Sequence, residues 1–97
     1  MNAKIQNLPV PWNRGASHIV TVVVSEASPG TSVRVVLVQT DPPPQNELGE
    51  QTVNVDNGGR AIAHFTVVLS TPGINVLHSV ATRLGNFASD SAGTIVQ

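Results

Sequence analysis

Ninety-seven residues suit one domain around one core and leave no room for a second. Charged residues are only 11% of the chain, against about 25% in an ordinary soluble domain, and Lys4, Arg14, Arg34, Arg60 and Arg83 are scattered, which disfavours nucleic-acid binding. The absence of cysteine removes disulfides, thiolate metal sites and cysteine nucleophiles, and no segment approaches the ~18 continuous apolar residues of a membrane span.

Hydrophobic residues make up 40% of the chain, yet it has only two Phe, one Trp and no Tyr. Its core must therefore be built from small β-branched side chains, valine above all, which suit sheets better than helices. Lys4 is followed by Ile5-Gln6-Asn7-Leu8-Pro9, with no apolar run of the ~7 to 15 residues a signal peptide needs. With Met1 as the native start, the chain is expected to be made and used without Sec export.

Ile5 to Pro11 reads as an extended arm or an edge strand, because Pro9 and Pro11 fix φ and remove two backbone donors. Trp12 is either a plug over one end of the core or a contact residue for a partner, and its size favours burial. His18 to Ser25 is a strand, apolar on both faces over part of its length, and Ser28-Pro29-Gly30-Thr31 is a turn. Ser32 to Thr40 follows as a strand with Val33, Val35 and Leu37 on one face and Arg34, Val36 and Val38 on the other. Asp41 to Gly49, stiffened by three prolines, is expected to carry the chain from one sheet to the other.

Gln51 to Val55, the turn Asp56-Asn57-Gly58-Gly59 and the strand running to Leu69 read as a hairpin. Ala61, Ala63, Phe65, Val67 and Leu69 share one face, and Arg60, His64, Thr66 and Ser70 the other. A three-residue loop, Asn57 to Gly59, would pair Val55 with Ala61 and Val53 with Ala63, keep the apolar side chains in phase, and place Gly59 at positive φ. Thr71-Pro72-Gly73 turns into a strand at Ile74 to Arg83. Leu84-Gly85-Asn86 turns again, and Phe87 to Gln97 is a last edge strand. Turn signals roughly every ten residues and no helical period are the signature of a small antiparallel sandwich of six or seven strands.

The succession Ser-Pro-Gly-Thr-Ser-Val-Arg-Val, Val-Asn-Val-Asp-Asn-Gly-Gly-Arg-Ala-Ile-Ala-His-Phe and Thr-Pro-Gly-Ile-Asn-Val-Leu resembles bacterial and phage immunoglobulin-like domains over about Ser28 to Ala81. The resemblance implies an all-β, immunoglobulin-like antiparallel β-sandwich and a non-catalytic role. In that family such domains serve as adhesin repeats, appendages of polysaccharide-degrading enzymes, or decorations of phage heads and tails.

The candidate chemistry is sparse. His18, His64 and His78 raise a zinc question, but no local spacing brings three ligands together, and sheet histidines are the simpler reading. Asp41, Glu47, Glu50 and Asp56 are acidic loop candidates for calcium, which needs a convergent loop with six to eight oxygens; Asp56 is more simply the residue that bonds amides in its own turn. No nucleophile elbow, phosphate-cradling loop or paired-carboxylate motif is present, so neither an enzyme nor a cofactor is expected.

Val36, Val38, Ile62, Val68 and parts of Ile19 to Val24 fall opposite the assigned core face. They are either further core or a surface that other subunits cover. The expected function is a small subunit decorating or cementing a larger assembly, a phage virion. Ile5, Leu8, Trp12, Val36, Val38, Ile62, Val68 and Ile95 would be contact residues, and deletion of residues 1 to 12 would leave a folded domain that no longer assembles. Expected partners are protein subunits of a viral particle or further copies of this chain. The alternative is an adhesin or carbohydrate-binding module from a longer surface protein; the scarcity of aromatic rings ranks it lower.

Overall fold

Period-two alternation becomes two facing layers. The computed structural model describes residues 1–97 and has strands β1 (Asn2–Gln6), β2 (Ser17–Ser25), β3 (Ser32–Asp41), β4 (Asn46–Asn54), β5 (Ala61–Val68), β6 (Gly73–Arg83) and β7 (Asn86–Val96), with no helix. One sheet has the order β1-β2-β5 and the other β4-β3-β6-β7, with antiparallel pairing throughout. This is an immunoglobulin-like β-sandwich of seven strands.

The buried faces are those that alternation assigns. Val20, Val22 and Val24 of β2 and Ala61, Ala63, Phe65 and Val67 of β5 face Val33, Val35 and Leu37 of β3 and Leu77 and Ala81 of β6. Valine and alanine keep the layers close, and the larger Phe65 is accommodated by a gap on β4. A Cβ at Gly49 would stand 2.6 Å from Phe65 Cδ1, so this strand position has room for the ring only because it carries no side chain.

Trp12 closes one end of the core, fully buried, with its Nε1–H donating to the Ala16 carbonyl at 3.1 Å. Its backbone also exchanges hydrogen bonds with the end of β7, Trp12 N to Ile95 O and Gln97 N to Trp12 O, both 2.9 Å. Ile5 is buried on β1, and Leu8 packs against the same cluster. The first twelve residues are thus an edge strand and a core plug, which corrects the expectation of a dispensable contact arm: removing them would open the core.

Two connections exchange the roles that the sequence suggested. The proline-rich segment after Asp41 joins β3 to β4 within one sheet, where Val33 pairs with Val53 and Val35 with Gln51. The change of sheet occurs instead at Asp56 to Arg60, so the expected β4–β5 hairpin is an arch between layers. The cause is a degeneracy in the pattern. An arch and an in-phase hairpin both direct Val53, Val55, Ala61 and Ala63 toward one interior, so alternation alone does not separate them. The turn chemistry holds either way: Asp56 Oδ1 accepts from Gly58 N and Arg60 N at 2.9 and 3.0 Å, and Gly59 has φ 77°. A Cβ on Gly59 would meet the Ala27 carbonyl oxygen at 2.9 Å.

Side chains close both seams between the sheets. On one side, Asp90 of β7 accepts the Ile5 amide of β1 through Oδ2 at 2.8 Å. On the other, Gln51 of β4 takes the His64 amide at 3.1 Å through Oε1 and donates through Nε2 to the His64 carbonyl at 2.5 Å. Strand edges that would be open templates for another chain are thereby partly satisfied from within.

Candidate functional site

The three histidines are held apart by the layers. His64 projects from the outer face of the three-stranded sheet, its Nδ1 3.1 Å from Thr21 Oγ1, while His78 lies on the outer face of the other sheet, its Nδ1 2.7 Å from Ser91 Oγ. His18 stands edge-on to the Trp12 ring, with centroids 4.6 Å apart. The acidic residues are also separately engaged: Glu50 pairs with Arg34, and Asp56 bonds its own turn. No three residues among His, Asp and Glu come close enough to share a metal ion. The Arg34 guanidinium, by hydrogen bonding first and charge second, holds the Glu50 carboxyl below the ordinary carboxylate range.

The outward apolar residues divide between two surfaces. Ile62 and Val68, 49% and 50% exposed, lie on the three-stranded sheet with Ile19. Val36 and Val38 are half-buried on the four-stranded sheet, where Ile95 is exposed. Ile5 and Trp12 are buried in the interior, and Leu8 is half-buried against it. The eight residues expected to make contacts therefore do not form one patch.

The four-stranded sheet carries more than alternation of β3 alone suggested. Along β6 the outward residues are Ile74, Val76, His78, Val80 and Thr82, and along β7 they are Phe87, Ser89, Ser91, Gly93 and Ile95. Neither row contains a Lys, Arg, Asp or Glu. Ile74 and Ile95 are directly opposed across the two strands, 67% and 54% exposed. Ile74 was available to the sequence reading through the phase of β6, which buries Leu77, Ser79 and Ala81 and so turns Ile74, Val76 and Val80 outward.

A single groove, of about 500 Å³, opens at one end of the sandwich between the β2–β3 turn and the β6–β7 hairpin. It is lined by apolar side chains, among them Leu84 and Phe87, and by Glu26 and Arg83. Sequence reasoning missed it because its walls come from turns more than fifty positions apart, counted from Glu26 to Arg83.

Comparison of the sequence with protein-family models and with curated proteins returns no match. Comparison of the fold finds several similar solved chains, among them two structures of superoxide reductase (neelaredoxin) from Ignicoccus hospitalis. One has a TM-score of 0.77 at 17% identity, over 99% of this chain and 80% of that one. The other has a TM-score of 0.70 at 14% identity, over 100% of this chain and 81% of that one. The likeness is one of fold.

It corrects three expectations. The resemblance to bacterial and phage immunoglobulin-like domains does not identify the chain's relatives, because the short Pro-Gly and Asn-Gly-Gly pieces that carried it are turn chemistry which any valine-rich sandwich can use. The role of a decorating subunit of a phage virion falls with it, and so does the adhesin or carbohydrate-binding alternative. The exclusion of an enzyme is also overturned as an inference. The neighbours in fold are named as enzymes, so the lack of linear catalytic motifs does not set this architecture apart from catalysis.

Proposed function

We propose that this domain works as one subunit of a homo-oligomer, joined through the outer face of its four-stranded sheet. The observation that carries the proposal is the uncharged β6–β7 face with Ile74 and Ile95 opposed and exposed at 67% and 54%. At ~3.3 Å per residue and ~4.8 Å between strands, β3, β6 and β7 offer roughly 500 Å² of flat area. With the β4 margin this moves toward the ~800 Å² per partner that a stable interface buries. The β6 and β7 rows, which carry no ionised group, meet their own copy without like-charge repulsion, and a two-fold axis lets one patch satisfy both partners. The ionic groups bordering it lie on the β3–β4 side: Glu47, the Arg34–Glu50 pair, and the exposed Asp41, which stands opposite Val76.

Superoxide reduction, the activity named for the fold neighbours, transfers an electron and therefore needs a redox-active group. The metal-ligating side chains of this chain are spread over different faces and do not fit a metal centre, so no step of that reaction is assigned to them.

Sedimentation velocity over a concentration series tests the proposal. The wild-type chain is expected to run as a dimer or larger species. Ile74→Lys with Ile95→Lys should convert it to a monomer that still unfolds cooperatively, with a midpoint that no longer depends on concentration, and Ile62→Lys with Val68→Lys on the other sheet should not dissociate it. A wild-type monomer at every concentration, or dissociation by the second pair alone, overturns it.

A further inference from the structure

The groove between the β2–β3 turn and the β6–β7 hairpin combines three features that nothing in the fold requires. Leu84 is the first central residue of a two-residue turn, since Arg83 pairs with Asn86, and it has φ 45° with Gly85 at 82°. Such turns favour Asn, Asp or Gly at that position, because a Cβ at positive φ is costly. Leucine there gains nothing from burial either, being 86% exposed. Glu26 is likewise at positive φ, 55°, and lines the same groove. Only one other non-glycine residue has positive φ, Asn7, and asparagine tolerates that conformation. The two positions where the backbone is held against its preference thus face one concavity, as happens where a ligand clamp is built.

The third feature is charge. Arg83 donates through Nη1 to the Ser32 carbonyl at 3.2 Å and has no carboxylate within ion-pair reach, the one ion pair of the molecule being Arg34–Glu50. Glu26 instead accepts from Asn2 Nδ2 at 3.1 Å. A guanidinium keeps several donors in a fixed fork that matches a carboxylate. Beside it Phe87, 72% exposed, and Leu84 offer an apolar wall.

We infer that this groove binds an organic monocarboxylate with an apolar body, the carboxylate on Arg83 and the body against Leu84 and Phe87. Glu26 on the opposite wall disfavours a second negative charge. The same chemistry is offered by a free small acid and by the C-terminus of a peptide ending in an apolar residue.

Amide-resolved NMR titration of the full chain tests this. Phenylacetate is expected to shift amides at residues 26–31 and 83–87. Phenylacetamide, which lacks the charge, should bind at least about tenfold more weakly, a difference of about 1.4 kcal/mol. Arg83→Gln should abolish the preference for the acid over the amide. Leu84→Asn, which suits the turn, should raise the unfolding midpoint and weaken phenylacetate binding together. An acetylated dipeptide ending in phenylalanine, compared with its C-terminal amide, assigns the source: tighter binding than phenylacetate points to a chain terminus, and equal binding to a free acid. Equal affinity for acid and amide, shifts elsewhere on the surface, or undiminished binding in Arg83→Gln overturns the inference. Ile74 and Ile95 lie at the far end of β6 and β7 from the groove, so the lysine pair leaves Arg83 and Leu84 in place, and the acid-over-amide preference should persist in that variant whether or not it is oligomeric.

Discussion

The side-chain amide of Gln51 brackets the backbone of His64, taking its N–H at 3.1 Å and giving a proton to its carbonyl at 2.5 Å. One side chain thereby replaces a ladder step between β4 and β5, which belong to different sheets. Two net hydrogen bonds of ~0.5–1.5 kcal/mol each place the loss in Gln51→Ala at about 1–3 kcal/mol, read as a lower denaturant midpoint. Gln51→Glu keeps an acceptor for the amide but cannot donate as a carboxylate, so it should fall between the two. The alanine variant should also scatter more light on standing, because the β5 edge is freed for another chain.

Gly49 and Phe65 form a second coupled pair across that seam. Gly49→Ala sets a methyl against the ring at 2.6 Å and should cost about 1–3 kcal/mol by overpacking. Phe65→Leu alone should also destabilise, by loss of packing. In the double variant the two costs should add to less than their sum, and strict additivity in a double-mutant cycle would refute the contact.

Trp12 is fully buried with its indole N–H satisfied by Ala16. Trp12→Ala should cost roughly 3–5 kcal/mol, the range for a large aromatic truncated in a core. A chain lacking residues 1 to 12 should show no cooperative unfolding transition. A folded, cooperative truncation product would show that the plug contributes little.

Glu50 gives a pH dependence with a definite sign. Its folded pKa is depressed by Arg34, so its contribution is present above the unfolded value of ~4.3 and is lost as pH falls through the lower folded value. Arg34, whose pKa is raised, keeps its share at every pH below its unfolded value and so adds no slope in the working range. Both groups are exposed, so the effect should be small and screened by salt. Arg34→Gln should match wild type in the shape of its pH–stability curve above pH ~5 and lose the acid-side slope at low salt only.

The strands and their inward residues were legible because alternation is a local signal: the β5 pattern Ala61, Ala63, Phe65, Val67 is found buried as read. Turn residues were legible for the same reason, Gly59 at positive φ among them. Sheet membership was not, because the Asp56 turn serves a hairpin and an arch equally, and nothing near Asp41 to Gly49 distinguishes a crossover from a return. The groove was not legible: Leu84-Gly85-Asn86 read only as a turn, and what Leu84 lines depends on Glu26 and Arg83 being brought beside it by the fold. The contact role expected of Trp12 gave way to the other reading made of it, the core plug.

The placement of β5 beside β2 also sets an order of events in folding. The hydrogen bond between Thr21 and His64 joins positions 43 apart, and the intervening chain is β3, β4 and the arch. The β3–β4 hairpin is a local closure, whereas the β5 flank of β2 is paired only across that whole separation, which is the slower contact to make. During that delay Ile19 to Val24, apolar on both faces, is the segment most open to a wrong neighbour. Crowded refolding, rather than prolonged storage of the finished fold, is therefore where this chain is most easily lost.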